Sequence, residues 1–503
     1  EREPVTFALH ALEPLHGVRV TPGALTGPGN IPAENIEVHL IHSWPQRYKM
    51  NPREGWGVMP ELLYEPDRSG EVWVGTGSNA QWWLTVRVPD DAPAGDYTGA
   101  VTISRGDGAD QSLPIALTVY PFGLDWPRPM HWGIYYYPGQ TVGPRVVDLD
   151  SLTDYTRRDL QDLRDHGLNG FAFSLLRGMA STDASAVPVI DVETDPVTVN
   201  LGYVQWVIDR INEVGGFEGP LPLYIRSAWM PDREDRERII QQAARVIEDE
   251  RIRRGWPELL YYAWDEPFRE PEISEAAEPY RALSEVEGIR TYCTVSDEAG
   301  IKLDPWLDVR CHATSLGCGY QWPEVYDAAM EGGDEYWWYS NCTREFPAVM
   351  RFKAGFHHWK SRATGQTYWN YRSYSGSPFC DFDGGPGDYI TSYPGADGPI
   401  RSIQWECHRE GINDAKYAWT LELMVNEAER SDDARVRAAA AEGRAILNRI
   451  RDEAHIDMDY YTDTYGDDLA FHYLSDWEAT RYDANRRAIA DAIVALIEAG
   501  AGR

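Results

Sequence analysis

Lysine is almost missing from this chain of 503 residues: it stands only at 49, 302, 353, 360 and 416, and arginine supplies the rest of the 47 basic residues. Against them stand 80 Asp and Glu, for a formal net charge of −33. Nucleic acids and anionic bilayers are held by clustered Lys and Arg, so this balance argues against both as partners. Cysteine is scarce too, with six residues at 293, 311, 318, 342, 380 and 407. None forms a C-x-x-C pair or has histidine at zinc-finger spacing, and buried thiols are expected rather than disulfides or a metal site. No apolar run approaches the roughly 18 residues of a spanning helix. No Gly-x-Ser-x-Gly elbow, His-Glu-x-x-His pair or Walker loop is present, which removes support for those hydrolase classes. No cofactor and no metal are expected. The chain opens on Glu1 rather than Met, as after removal of a leader or tag, and shows no targeting segment. Extracellular and cytoplasmic locations therefore both stay open, as does the oligomeric state.

What the chain has in plenty is aromatic side chains, 20 Trp and 29 Tyr within a 43% hydrophobic composition. That supports large packed cores, and the length implies more than one domain. Residues 1–124 read as a β-sandwich. Short β-branched or aromatic runs such as Val38–Ile41, Val72–Val74 and Trp82–Val88 alternate with turn chemistry such as Pro93-Ala94-Gly95-Asp96. A proline-rich stretch, Tyr120 to Pro129, marks a boundary. Over 128–415 the pattern becomes strand and helix in alternation, with eight candidate strands beginning near Trp132, Leu168, Leu221, Leu259, Ile289, Val309, Tyr336 and Gln366. Eight such units predict an α/β fold of the (β/α)8 TIM-barrel type. Residues 416–503 read as a helical tail packed on the barrel, with amphipathic stretches at Val436–Arg451 and Arg487–Glu498.

In such a barrel the chemistry sits where strands end at the C-terminal face. The fourth strand, Leu259 to Trp264, runs into Asp265-Glu266-Pro267. Adjacent carboxylates raise one another's pKa, which can keep one protonated near neutrality. Strand side chains alternate between faces, so both reach one site only if the strand breaks, and Pro267 suggests that break. In so acidic a chain the same pair also fits an ordinary surface loop. Aromatic residues at other strand ends tip the balance, since flat rings with polar rims suit sugar faces. The candidate substrate-binding set is Tyr135, Arg226, Trp229, Trp338, Tyr339, Asn341, Trp369, Asn370 and Tyr371. His357-His358 reads as core or surface histidine, and Asp381 to Asp388 as a Gly/Asp turn rather than a calcium loop.

The Trp264-Asp265-Glu266-Pro267 motif, behind a sandwich carrying Pro93-Ala94-Gly95-Asp96-Tyr97-Thr98-Gly99, resembles glycoside hydrolase family 123. Tyr393-Pro394-Gly395-Ala396-Asp397-Gly398-Pro399 and Arg409-Glu410-Gly411-Ile412-Asn413-Asp414 extend the resemblance over most of the chain. Gln404 and Ala415-Lys416-Tyr417-Ala418 depart from the family pattern. The resemblance implies a retaining, exo-acting β-N-acetylgalactosaminidase that uses the substrate's own acetamido group. Glu266 would be the general acid and then the base, and Asp265 would orient the acetamido group. The alternatives are a conventional double-displacement glycosidase, with Glu266 as acid/base and Glu345 as nucleophile, and a non-catalytic glycan-binding relative.

Overall fold

The computed structural model describes residues 1–47, 56–65, 70–106, 108–175, 190–225, 235–295, 302–312, 323–341, 347–374, 376–380, 382, 389–454 and 477–501. Two antiparallel sheets open the chain. One has the order Arg2–His10, Asn79–Arg87, Ile36–Arg47, Trp56–Tyr64. The other centres on Gly95–Ser104, flanked by Leu15–Pro22 and Gln111–Val119. Their inward residues, among them Ile36, Trp82 and Leu84 from one sheet and Val18, Tyr97 and Val101 from the other, meet in one core. The Pro93–Gly99 motif is built into this packing. Gly95 holds φ +138, where a Cβ would stand 2.6 Å from Pro28 Cγ, and the Tyr97 hydroxyl donates to the Pro93 carbonyl at 2.8 Å.

A parallel sheet of eight strands follows: β1 His131–Trp132, β2 Phe173–Ser174, β3 Leu221–Tyr224, β4 Leu259–Tyr262, β5 Arg290–Val295, β6 Val309–His312, β7 Glu335–Asn341 and β8 Gly365–Trp369. Their order is β1-β8-β7-β6-β5-β4-β3-β2, so each lies beside its neighbour in the chain. The two edge strands also meet. Tyr135 and Ala172 form a parallel bridge, and the Ala172 and Tyr136 amides donate to Ile134 and Ala172 carbonyls at 3.0 Å. All eight candidate strands thus fall on observed ones, with the first two shortened to two residues plus the bridge.

Helices alternate with these strands, including α1 Leu149–Asp165, α2 Gly202–Glu213, α3 Arg236–Arg254 and α4 Glu272–Ser284. The start of α1 is a capping box between Asp148 and Ser151, and α3 stops at Gly255 in the left-handed conformation, φ 66. Strand alternation sorts the sheet's side chains into two layers. Along β7, Tyr336 and Trp338 join the core under the helices, while Trp337 and Tyr339 point to the sheet's interior with Leu260, Tyr262 and Tyr292. The helical tail begins earlier than the sequence pattern suggested, at Ile403, where the Ser402 hydroxyl caps the Trp405 amide. This helix shares a core with Ala434–Glu453, Ala479–Ala499 and the segment around Phe352 and Trp359.

Candidate active site

The end of β4 departs from strand geometry in two places. Tyr261 and Ala263 face the helix layer as alternation requires, but Trp264 packs there as well. That doubled outward step puts Asp265 on the side of Tyr262, whose hydroxyl donates to Asp265 Oδ1. Glu266 then takes φ +48, a left-handed conformation costing a non-glycine residue roughly 1–2 kcal/mol. The break that the sequence suggested at Pro267 therefore lies one to three residues earlier.

A polar network holds this turn. Thr294, inward on β5, lies 2.7 Å from the Tyr262 hydroxyl and donates to Asp265 Oδ1 at 3.3 Å. Its hydroxyl oxygen also accepts the Glu266 amide at 3.3 Å. Behind the turn, Tyr280 of α4 receives the Trp264 amide at 3.2 Å and donates to the Tyr292 carbonyl at 2.8 Å. Asp265 is thus oriented by two hydroxyls, while Glu266 is fixed through its backbone and its carboxyl stays open to the mouth of the sheet.

The surroundings of Glu266 shift its carboxyl. Glu266 is open on one side but walled by protein on the others, and this lost solvation, reinforced by the Asp265 charge, pushes its pKa up to about 7. Burial, followed by the Asp265 charge, holds the Tyr262 hydroxyl well above the usual tyrosine range, so it remains a neutral donor. Burial likewise keeps Tyr135 and Tyr292 protonated; their hydroxyls lie 3.0 Å apart beneath the carboxylates.

The candidate binding residues divide. Tyr135, Tyr339 and Trp369 come together in the interior, with ring centroids 6.4 Å apart for Tyr135 and Tyr339 and 5.4 Å for Tyr135 and Trp369. Asn341 ends β7 opposite Trp369 and shares the parity of Tyr339. The structure places Trp338 elsewhere, buried under the helices with its indole N–H on His358 Nδ1 at 3.1 Å. Tyr371 is also in that outer layer, donating to Asp162 at 3.0 Å. Asn370 is buried, and its carbonyl accepts from Thr391 at 3.3 Å. Arg226, Trp229, Glu345 and all of Asp381 to Asp388 except Phe382 lie outside the described residues.

Tyr262 and Thr294 were missed from sequence. Their signal is parity: both are hydroxyl residues at inward positions near the ends of β4 and β5, within one strand of the acidic pair. His357 and His358 are buried, and burial pulls both below the ordinary histidine range, so they are neutral. Cys293 and Cys311 are buried free thiols. Among the described residues, no group of three or more His, Cys, Asp or Glu is placed to hold a metal ion.

Residues 229–420, which include β4 through β8 and both carboxylates, match the model of the glycoside hydrolase 123 catalytic domain. The chain resembles glycoside hydrolase family 123. A solved family 123 glycoside hydrolase from Clostridium perfringens shares its fold with a TM-score of 0.72, covering 98% of this chain and 91% of that one at 14% identity. A Bacteroides ovatus xyloglucanase scores 0.34 at 8% identity, covering 81% and 100% of the two chains. A family 39 glycoside hydrolase from Bacteroides cellulosilyticus scores 0.37 at 11% identity, covering 79% and 80%. A search of curated proteins finds no match. The match to family 123 falls on the segment that carries the acidic pair, which supports a glycoside hydrolase.

Proposed function

We propose that the protein is a retaining exo-glycosidase that releases terminal β-linked N-acetylgalactosamine, or a related N-acetylhexosamine, by substrate assistance. The observation that carries this reading is the turn at Asp265-Glu266: one carboxylate already engaged by Tyr262 and Thr294, the next raised to a pKa of about 7. Adjacent acids on one turn do not suit the opposed geometry of a double displacement, whose carboxyls stand about 5 Å apart on either side of the sugar. They do suit a reaction in which the nucleophile belongs to the substrate.

In the first step Glu266 gives its proton to the glycosidic oxygen as the C1–O bond breaks. The acetamido carbonyl oxygen attacks C1 from the other face and forms an oxazolinium ring. Asp265, held in place by Tyr262, accepts the acetamido N–H and stabilises the positive charge that develops there. In the second step the Glu266 carboxylate takes a proton from water, which opens the ring at C1 and restores the original anomer. Tyr135, Tyr339 and Trp369 supply ring faces for the sugar. We also read the curled sheet as a (β/α)8 barrel and the paired N-terminal sheets as a sandwich, readings supported by the bonds between β1 and β2 and by the shared core. The Clostridium perfringens enzyme is described in terms of glycolipid glycan hydrolysis, and glycans of that kind are the first natural substrates to try.

The test is hydrolysis of 4-nitrophenyl β-N-acetylgalactosaminide beside the unsubstituted galactoside, with an N-acetylhexosamine-derived thiazoline as inhibitor. Cleavage of the acetamido sugar alone, blocked by the thiazoline, is the expected result. Cleavage of the unsubstituted sugar with no thiazoline inhibition would rule the mechanism out.

A further inference from the structure

Regular strand alternation would misplace both members of the Trp264-Asp265 step. Tyr262 faces the interior and Ala263 the helices, so an unbroken strand would turn Trp264 inward and Asp265 outward. The indole would then fill the mouth of the sheet, and the carboxylate would lie behind it. The chain does the opposite, so some contact must hold Trp264 against the helix layer.

The ladder does not supply it. β4 pairs with β3 and β5 only as far as Tyr262, opposite Tyr224 and Tyr292. Beyond that point the peptide groups of Trp264 turn to side chains. Its N–H donates to the Tyr280 hydroxyl at 3.2 Å, and its carbonyl accepts the Cys293 thiol at 3.4 Å. The Tyr280 hydroxyl donates in turn to the Tyr292 carbonyl at 2.8 Å. One phenol oxygen thus joins α4, the end of β4 and β5. Tyr280 is fully buried, and burial holds its hydroxyl well above the usual tyrosine range, so it keeps the proton it donates. A phenylalanine ring would fill the same space; only the oxygen can take the Trp264 amide. Two residues on, the left-handed backbone of Glu266 at φ +48 persists only while its surroundings over-determine it.

We propose that Tyr280 is a positioning residue for the hydrolysis: from the helix layer its hydroxyl holds Trp264 outward and thereby sets Asp265 inward beside Glu266. This rests on the glycosidase reading above. Tyr280 acts through the backbone on the group that orients the acetamido nucleophile. Its loss is therefore felt in the attack on C1 and little in binding of the sugar, which Tyr135, Tyr339 and Trp369 hold.

The experiment uses the full chain and compares Tyr280→Phe with Tyr261→Phe. Tyr261 is equally buried on the same strand and faces the same layer, but its hydroxyl donates to the Ala244 carbonyl of α3 at 3.2 Å. Hydrolysis of 4-nitrophenyl β-N-acetylgalactosaminide is followed below the melting temperature of every variant. Tyr280→Phe is expected to lower kcat about 100-fold with KM within about threefold, and Tyr261→Phe to keep both within about twofold. Adding Tyr280→Phe to Asp265→Asn is expected to leave kcat within about twofold of Asp265→Asn alone, since nothing remains to be positioned. A kcat for Tyr280→Phe no lower than for Tyr261→Phe, or fully additive losses in the double variant, would overturn the assignment. If Tyr280→Phe does not fold, Cys293→Ala takes its place, with a loss of about fivefold in kcat expected and an unchanged kcat overturning the assignment. A crystal structure of Tyr280→Phe gives a readout that needs no activity. Asp265 parted from Tyr262 is expected there, and an unmoved turn would overturn the assignment. If the wild-type chain leaves the acetamido sugar intact while Asp265 has moved in the variant, the substrate-assisted reading falls and the positioning stands.

Discussion

Glu266 bears two costs at once, a left-handed backbone and a carboxyl short of solvent. Both are relieved in Glu266→Gly, which is expected to raise stability by about 1 kcal/mol in urea titrations while removing the proposed general acid. Glu266→Gln keeps the shape and should lower kcat on unactivated glycosides by roughly 10²–10⁴. The pH dependence has a definite sign. As the proposed general acid Glu266 must carry its proton, so kcat/KM is expected to fall as pH rises through about 7. Stability moves the same way: the folded state binds this proton more tightly than the unfolded chain, so its contribution is full in acid and is lost as pH rises through 7. Because the Asp265 charge is one cause of the shift, Asp265→Asn should move the alkaline limb of the residual activity to lower pH. An unmoved limb would mean that another group is being titrated.

At the scale of elements, the acidic pair was legible because a strand, a break and a proline follow one another in the sequence. Which aromatic rings join it depends on parity. In Trp337-Trp338-Tyr339 every position is aromatic, and only the register of β7 sends Trp338 outward and Tyr339 inward. The doubled outward step at Ala263 and Trp264 was not legible, since it depends on Tyr280 from α4 holding the Trp264 amide. The helix Ile403–Ala428 was misjudged at its start for a related reason. Its first turns bury Glu406, His408, Arg409 and Glu410, charges that do not look like a core until their partners are known. Burial alone would push Glu406 up, but Arg409, with His166 and Arg401, holds it well below the usual carboxylate range. Its contribution to stability is therefore present above the ordinary carboxylate pKa and is lost as pH falls toward its own low value. Glu406→Gln leaves Arg409 without its 2.7 Å partner and should cost about 3–5 kcal/mol, read from the urea midpoint at pH 7.

For the whole molecule the net charge of −33 acts as self-repulsion across a folded surface. Exposed ion pairs such as Arg128–Glu218 and Arg145–Asp397 oppose it, but each is worth only about 0–1 kcal/mol. Molar salt shortens the screening length to about 3 Å and weakens both, with the larger net repulsion losing more. The melting temperature should therefore rise between low and molar sodium chloride. A flat response in calorimetry would show that the acidic, lysine-poor surface carries no such strain.

Glu61, buried while it accepts the Trp44 indole N–H at 3.0 Å and the Tyr393 hydroxyl at 2.7 Å, ties the first antiparallel sheet to the later chain and bears on where this protein can be cut. Removing residues 1–124 would uncover Ile390, Ile403 and Tyr393, which share cores with Leu62, Leu63 and Trp83. It would also leave Arg401 without Glu37 and Arg486 without Glu3. The segment that matches the glycoside hydrolase 123 catalytic-domain model is therefore not a transplantable part. A shuffled or trimmed version would have to carry the strands Ile36–Arg47 and Trp56–Tyr64 with it, so the two regions are expected to be exchanged and engineered as one piece.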